Sequence, residues 1–179
     1  MRRTHVSRLA ACECGRVVFE AAGPPIMAVA CDCASCREAG RLIEALPGAA
    51  RVIDEDGGTG FLLYRKDRVR CTRGGNLLED HRLKPDSSTR RVVATCCQSA
   101  MFLEFTKGHW LSMNRGRFTD APPVEMRTMS RDRPDGAPPA AGVPAHASHS
   151  AGFMWRLFKA WAAMGFRVPK VIAGTEVAA

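Results

Sequence analysis

Three closely spaced cysteines constrain this chain more than any other feature of its sequence. Cys31, Cys33 and Cys36 form a C-x-C-x-x-C motif directly after the apolar run of residues 26–30. Three thiols this close cannot all pair with one another as disulfides, but three thiolate sulfurs can converge on one tetrahedral metal ion. The motif therefore predicts a metal site.

The three cysteines alone predict a site with an open position. Structural zinc sites are usually closed by four Cys or His ligands, whereas catalytic sites often keep three and leave the fourth position to water or substrate. No Cys or His follows Cys36 within the next turns of chain. One alternative is that Cys71 or a histidine completes the site. A redox pair of Cys33 and Cys36 is less favoured, because Cys31 is present and a thioredoxin-like βαβ pattern is not.

The remaining cysteines indicate a second site. Eight cysteines in a reducing compartment are better explained by metal binding than by disulfides. Cys12 and Cys14 precede Gly15, whose tolerance of positive φ lets the backbone curl so that both sulfurs face one metal. Cys96 and Cys97 are the expected source of the other two ligands. Structural zinc contributes about 10 kcal/mol or more to folding, so we expect loss of Cys12 to unfold the protein.

Length and composition predict one small domain. With 179 residues, 46% of them hydrophobic, the chain can bury one core. It contains no apolar run long enough to span a bilayer and no signal peptide, so we expect a cytoplasmic protein without a membrane span. The formal charge of +8 comes from scattered basic residues. An acidic small molecule or an ordinary basic surface explains this charge as well as nucleic acid does, and nucleic acid is not the expected partner.

The apolar pattern predicts a mainly β domain with one short internal helix. The helix is expected over residues 37–46, with the apolar side chains of Ala39, Leu42, Ile43 and Leu46 at helical spacing and a stop at Pro47. The acidic, glycine-rich residues 54–60 lack the Lys-Ser/Thr of a P-loop and are interpreted as a solvated turn. The predicted strands cover residues 16–20, 26–30, 61–64, 69–71, 90–95 and 101–105.

The C-terminal part of the chain changes in composition. We expect a zinc-binding domain over residues 1–130, a linker or loop rich in Pro, Ala and Gly over 131–150, and a tail over 169–179. Residues 151–168 carry Phe153, Leu157, Trp161 and Met164 at the spacing of an amphipathic helix. Docking of this helix onto the domain is favoured over binding to a membrane or a partner.

Taken together, the cysteine motifs resemble one protein family. A C-x-C-G before a strand, a C-x-C-x-x-C after a second strand, and late cysteines after a strand that begins with Arg resemble the glutathione-dependent formaldehyde-activating enzyme and centromere protein V family. The resemblance covers roughly the first 130 residues and implies the Mss4-like, zinc-stapled β fold. It implies a structural zinc on Cys12 and Cys14, and a second, catalytic zinc on Cys31, Cys33 and Cys36.

The late pair departs from the family pattern, which has a C-x-x-C at this place. The chain instead has Cys96 and Cys97, followed by Gln98 and Ser99. Either both cysteines bind the structural zinc, or Cys96 binds it with Ser99 in the place of the second family cysteine. We favour the two cysteines, because serine is a far poorer zinc ligand than thiolate.

The resemblance implies a zinc-dependent carbon–sulfur lyase, similar to S-(hydroxymethyl)glutathione synthase, that acts on an aldehyde adduct of glutathione or another thiol. Zinc on the three cysteines could take a substrate thiol or polarise an aldehyde oxygen. Arg37 and Arg41 could steer anionic glutathione. The alternative is a non-catalytic, zinc-stabilised module that binds a protein or nucleic acid, and a third hypothesis is thiol redox or metal storage. The sequence does not predict an oligomeric state.

Overall fold

Ten short strands and two α-helices make up the computed structural model, which describes residues 7–134 and 142–171. This composition confirms the expected mainly β class with an internal and a C-terminal helix. The elements are β1 Ser7–Ala11, β2 Val18–Ala22, β3 Met27–Cys31, α1 Ala34–Glu44, β4 Thr59–Arg65, β5 Val69–Arg73, β6 Leu78–His81, β7 Thr89–Ala94, β8 Ser99–Phe105, β9 Trp110–Asn114, β10 Met126–Thr128 and α2 Ala151–Ala162.

The strands form two sheets that enclose the main core. The larger sheet has the order β10-β3-β4-β9-β8-β7-β6, and the smaller one has the order β1-β2-β5. Every pairing is antiparallel except that of β10 with β3. Phe19 of β2 meets Phe102 of β8 edge to face, with ring centroids 5.5 Å apart. Apolar side chains from both sheets are thus removed from water between them.

A second apolar cluster covers the opposite face of the larger sheet. Successive residues of β4 alternate between the clusters: Leu62 and Tyr64 join the main core, while Phe61 and Leu63 join the second cluster. Because both faces are covered, β4 is a nearly continuous buried apolar run. This second cluster also contains Cys36, so the C-x-C-x-x-C motif lies at its border.

Helix α1 begins earlier than residue 37, because Cys33 caps it. The Cys33 Sγ accepts a hydrogen bond from the Cys36 backbone N–H at 3.3 Å. Leu42, expected on the apolar face, is 58% exposed. Gly40 instead faces the body of the protein, where a Cβ atom would lie 2.6 Å from Ile53 Cγ1. A glycine is therefore what allows the middle of α1 to approach its neighbours so closely.

Helix α2 docks onto the larger sheet through Phe153 and Leu157, which are buried in the second cluster. The buried His109 Nε2 lies 2.8 Å from the Leu157 carbonyl oxygen, so the Nε2–H tautomer donates to it. The His109 ring also stacks on Trp161, with centroids 5.7 Å apart. The helix ends at Ala162, before the expected residue 168, and Gly165 nearby adopts a φ of +64°.

Part of the expected linker pairs with the domain. The backbone N–H of Arg127 donates to the Pro144 carbonyl, and the N–H of His146 donates to the Arg127 carbonyl. Residues 135–141 of this linker and 172–179 of the expected tail lie outside the described residues. The domain boundaries stay a prediction. Within the described ranges, every helix is too short or too polar to cross a membrane.

The buried His109 makes the docking of α2 sensitive to acid. Burial lowers the pKa of His109 below its ordinary value of 6.5, so the folded protein binds fewer protons than the unfolded chain as the pH falls past that value. Stability should therefore decrease below about pH 6.5, by at most about 1.4 kcal/mol per pH unit for this one group. In His109→Gln, a neutral amide N–H can still donate to Leu157. Thermal unfolding at pH 7.5 and 5.5 should show a smaller decrease for His109→Gln than for wild type, and equal decreases would contradict this role.

Candidate metal centres

The first cysteine cluster joins the two sheets. Cys12 and Cys14 follow β1, and Cys96 and Cys97 lie in the turn between β7 and β8. The four Sγ atoms lie within 4.8 Å of one another. The Sγ–Sγ distances are 3.6 Å for Cys12 and Cys14, 3.8 Å for Cys12 and Cys96, 3.4 Å for Cys14 and Cys96, and 3.9 Å for Cys96 and Cys97. Four sulfurs placed tetrahedrally at about 2.3 Å from a zinc ion would be about 3.8 Å apart, so this cluster fits zinc.

Two tight turns present these sulfurs. Gly15 adopts the expected positive φ of +71°, and its N–H donates to the Cys12 carbonyl at 2.9 Å. The backbone N–H of Val17 then donates to the Cys12 Sγ at 3.2 Å. In the other turn Gln98 adopts a φ of +52°, which is uncommon for a residue with a Cβ atom. The first turn thus supplies a backbone donor to the Cys12 sulfur.

Burial and hydrogen bonds give two thiols of this cluster very different pKa values. Burial, followed by the hydrogen bond with Cys14, raises the pKa of Cys96 to about 12. Burial also acts to raise the pKa of Cys97, but hydrogen bonds from Ser99 and from the backbone N–H of Cys14 outweigh it and lower this pKa to about 6. The lowered pKa favours the thiolate form of Cys97, which is the form that binds metals.

Ser99, the alternative ligand, is hydrogen-bonded to both turns. Its buried Oγ accepts from the Glu13 backbone N–H at 3.0 Å and from Arg117 Nη1 at 3.2 Å. It also lies 3.2 Å from the Cys97 Sγ. These contacts give the hydroxyl a structural role beside the four sulfurs. The assignment of Cys97 as the fourth ligand stays a prediction that this geometry favours.

The second cluster lies where β3 leads into α1. Cys31 is the last residue of β3, Cys33 caps α1, and Cys36 is in its first turn. Their three Sγ atoms lie within 4.8 Å of one another. The partial positive charge at the N-terminus of α1 favours thiolates here, as does the Cys36 N–H that donates to Cys33. The structure thus brings together the three residues that the motif predicted.

Within this cluster, Cys33 is the first thiol to ionise. Hydrogen bonds from Cys31 and then Cys36 hold the pKa of Cys33 far below its ordinary value. The same interaction raises the pKa of Cys31 to about 11, and hydrogen bonding to Cys31 and Cys33 raises that of Cys36 well above the usual range. The Cys33 thiolate thus accepts hydrogen bonds from two thiols, so the three residues share a single negative charge.

A buried ion-pair network holds the C-x-C-x-x-C motif against β10. Asp32 is fully buried, and Arg127 of β10 donates to its two carboxylate oxygens from Nε at 3.1 Å and from Nη2 at 2.6 Å. Arg133 Nη1 donates to Asp32 at 3.0 Å, and Arg127 also pairs with Asp56. The interpretation of residues 54–60 as a solvated turn is therefore wrong for residues 58–60, which are buried and lead into β4, and incomplete for Asp56, which pairs with Arg127. A Cβ at Gly58 would lie 2.5 Å from Arg127 Nη2, so the network also requires this glycine.

A cleft beside Cys36 separates α1 from the larger sheet. The space between them amounts to about 320 Å³ when the open solvent at its mouth is included, and its lining includes Ala39, Ile43 and Phe61. The hydroxyl of Thr59 is buried at this cleft and has no hydrogen-bond partner within residues 7–134 and 142–171. Arg91 also lines the cleft and donates from Nη2 to the Ser35 carbonyl at 3.1 Å. The cleft is therefore mainly apolar, with one unsatisfied polar group.

Thr59 and Arg91 could not be found from the sequence, because no motif marks strand residues that line a cleft. It also missed His149, which precedes α2 and stacks on Phe153 with ring centroids 4.6 Å apart. Burial lowers the pKa of His149, and the charge of Cys33 acts in the opposite direction. The negative charge of Cys33 therefore acts on the His149 ring.

The other candidate residues lie outside both clusters. Among the described residues Cys71 belongs to neither group of sulfurs: it lies on β5 in the smaller sheet, and its Sγ donates to the Arg73 carbonyl at 3.3 Å. Arg37 donates from Nη1 to the Asp32 carbonyl, whereas Arg41 is exposed. Of the two arginines expected to steer an anion, Arg41 is the more accessible.

The fold and the two clusters define a mainly β protein with two groups of cysteines that could hold metal ions. Neither a protein-family model nor a curated protein matches the sequence. A solved structure of a Rhodobacter sphaeroides protein from a structural genomics programme matches with a TM-score of 0.47 and 17% identity, over 77% of this chain and 99% of that chain. The family resemblance continues to depend on the cysteine pattern.

The buried ion pair of Asp32 and Arg127 should contribute strongly to the stability of the fold. Arg127→Met would leave Asp32 buried with Arg133 as its remaining cationic partner, and breaking a buried pair typically costs about 3–5 kcal/mol. Because Arg133 remains, we expect a decrease near the lower end, about 3 kcal/mol, in the free energy of unfolding measured with urea. The control Arg70→Met breaks an exposed pair with Glu20 and should change little. Similar losses in both variants would contradict this role.

Proposed function

We propose that the protein binds two zinc ions, a structural one on Cys12, Cys14, Cys96 and Cys97 and a second one on Cys31, Cys33 and Cys36. Both donor sets consist of thiols, which favour zinc over hard cations such as magnesium or calcium. The near-tetrahedral sulfur spacing of the first cluster supports the structural assignment.

We further propose that the second site acts as a carbon–sulfur lyase on the adduct of an aldehyde with glutathione or another small thiol. The observation that carries this proposal is the convergence of three sulfurs beside a cleft. A zinc ion bound there would supply a position at which a substrate thiol loses its proton or an aldehyde oxygen is polarised.

The reaction joins or separates two small molecules. In the direction of addition, the thiol sulfur attacks the aldehyde carbon, the new C–S bond forms, and the carbonyl oxygen becomes a hydroxyl by taking up the proton that the thiol releases. In the reverse direction the C–S bond breaks and the proton returns to sulfur. No oxidant or reductant is needed, because the electron pair of the C–S bond comes from sulfur and returns to it.

The chain's own residues would hold the substrate in place. The apolar cleft can exclude water from the aldehyde carbon. Arg41 lies on α1 after the motif and can attract an anionic thiol such as glutathione. Asp32 and Arg127 keep the backbone between Cys31 and Cys33 in position.

A second candidate function is a zinc-stabilised binding module without catalysis. The outward side of α2 favours it, since this helix exposes several large apolar side chains together with basic ones. Zinc on both clusters without any effect on thiol–aldehyde exchange would favour this module over the lyase.

Counting metal ions and measuring exchange tests the second site. Native mass spectrometry should find two zinc ions in wild type and one in Cys33→Ser, because serine is a poor zinc ligand. Exchange between glutathione and formaldehyde, followed by NMR, should be accelerated by wild type and return to the uncatalysed rate in Cys33→Ser. Cys71→Ser is the matched control and should keep two ions and full activity, since its thiol lies outside both clusters. Equal zinc counts in wild type and Cys33→Ser would contradict the second site, and absent exchange would contradict the lyase alone.

Removing a ligand from the first cluster should unfold the protein. Structural zinc contributes about 10 kcal/mol or more in small zinc-binding peptides, so Cys12→Ser should lose the cooperative thermal transition seen by circular dichroism. Ser99→Ala should keep two zinc ions and fold, because its hydroxyl supports the turns while Cys97 supplies the fourth sulfur. Loss of one zinc in Ser99→Ala but not in Cys97→Ser would reverse this assignment.

A further inference from the structure

Helix α2 has two apolar sides, of which the domain covers one. Phe153 and Leu157 are buried, whereas Trp155 and Phe158 are 58% and 46% exposed. A helix that is apolar on both sides normally lies between two apolar surroundings. We call the exposed side the outer face of α2. It consists of Met154, Trp155 and Phe158 of the helix, together with Phe166 and Val168, which follow its end at Ala162.

The side chains of the outer face form a connected patch. The rings of Trp155 and Phe158 stack with centroids 5.6 Å apart, and Phe158 lies 6.1 Å from Phe166. Contiguous exposed apolar groups of this kind mark an interaction surface, in contrast to single exposed residues.

The chain segment that carries the outer face has charges of one sign. Residues 142–171 contain no Asp or Glu, and Lys159, Arg167 and Lys170 are exposed. Arg156 pairs with Glu125, but no carboxylate of residues 7–134 or 142–171 forms a salt bridge with the other three cations. The patch would therefore favour an anionic surface.

We propose that the outer face of α2 binds the surface of an anionic lipid membrane. Exposed Trp and Phe beside Lys and Arg are typical of helices that lie in the membrane interface, where the rings enter the acyl boundary and the cations meet the headgroups. The 12-residue helix is about 18 Å long, so it would lie along the interface without crossing it. This surface acts independently of the proposed zinc chemistry.

The same charges oppose pairing of two copies through this face. A two-fold interface presents the same patch from both partners, so Lys159, Arg167 and Lys170 of one copy would approach those of the other. Like charges brought together across an interface oppose association. An anionic bilayer offers both the apolar layer and the opposite charge.

Vesicle binding tests the proposal with the full-length protein. Vesicles of phosphatidylcholine and phosphatidylglycerol (4:1) should sediment the wild type and shift its tryptophan emission to shorter wavelength, whereas pure phosphatidylcholine should bind it much more weakly. Trp155→Ser with Phe158→Ser should reduce the affinity at least tenfold, because the apolar contribution is lost. Lys159→Glu with Lys170→Glu should also reduce it at least tenfold, since each basic residue near the surface contributes about fivefold.

A matched variant controls for the loss of exposed apolar groups elsewhere. Leu9→Ser with Leu42→Ser removes two side chains that are each 58% exposed but lie outside the outer face, and it should bind like wild type. Circular dichroism should be unchanged in all variants. Equal binding by wild type and Trp155→Ser with Phe158→Ser would overturn the proposal. The proposal would also be overturned if anionic vesicles did not bind while the outer face was needed for concentration-dependent dimers or for binding of RNA or a protein.

Discussion

The buried pair of Asp32 and Arg127 is the interaction on which the arrangement of the second cluster depends. Arg127 lies on β10, whose parallel pairing with β3 places Thr128 opposite Cys31. The bidentate contact holds the backbone between the first two cysteines against this strand. A charge without a partner would be costly at this depth, and Asp32 gains its bidentate partner only when β10 is in register. The spacing of the sulfurs is thus tied to a strand that comes about a hundred residues later.

The two cysteine clusters differ in how far apart their residues lie in the sequence. The first joins residues 84 positions apart, Cys12 and Cys96, and connects the smaller sheet to the larger one. A metal there would close a long loop, and closing long loops removes much entropy from the unfolded chain. The second is local and spans the junction from strand to helix. A metal bound there would therefore constrain only a short stretch of chain.

Local patterns and the grouping of the cysteines could be predicted from the sequence, whereas long-range pairs between other residue types could not. Both clusters, the strands around residues 61–64 and 101–105, and the two helices follow from spacing and apolar periodicity. β6 was missed because Leu78–His81 is a polar edge strand, and β9 because its buried Ser112 and Asn114 conceal the apolar pattern. The contact between Asp32 and Arg127 joins residues 95 positions apart, for which a single sequence carries no signal. Leu42 was misplaced because the short helix turns Gly40 inward.

The close approach at Gly40 has a consequence for sequence variation. The position leaves no room for a Cβ atom because Ile53 fills the space, so the two residues share one small volume. A larger side chain at position 40 would require a smaller one at position 53. The side-chain sizes at the two positions should therefore change in opposite directions among natural variants. Because Gly40 lies one turn beyond Cys36 on the same face of α1, such an exchange would preserve the placement of the sulfurs while reshaping the wall of the neighbouring cleft.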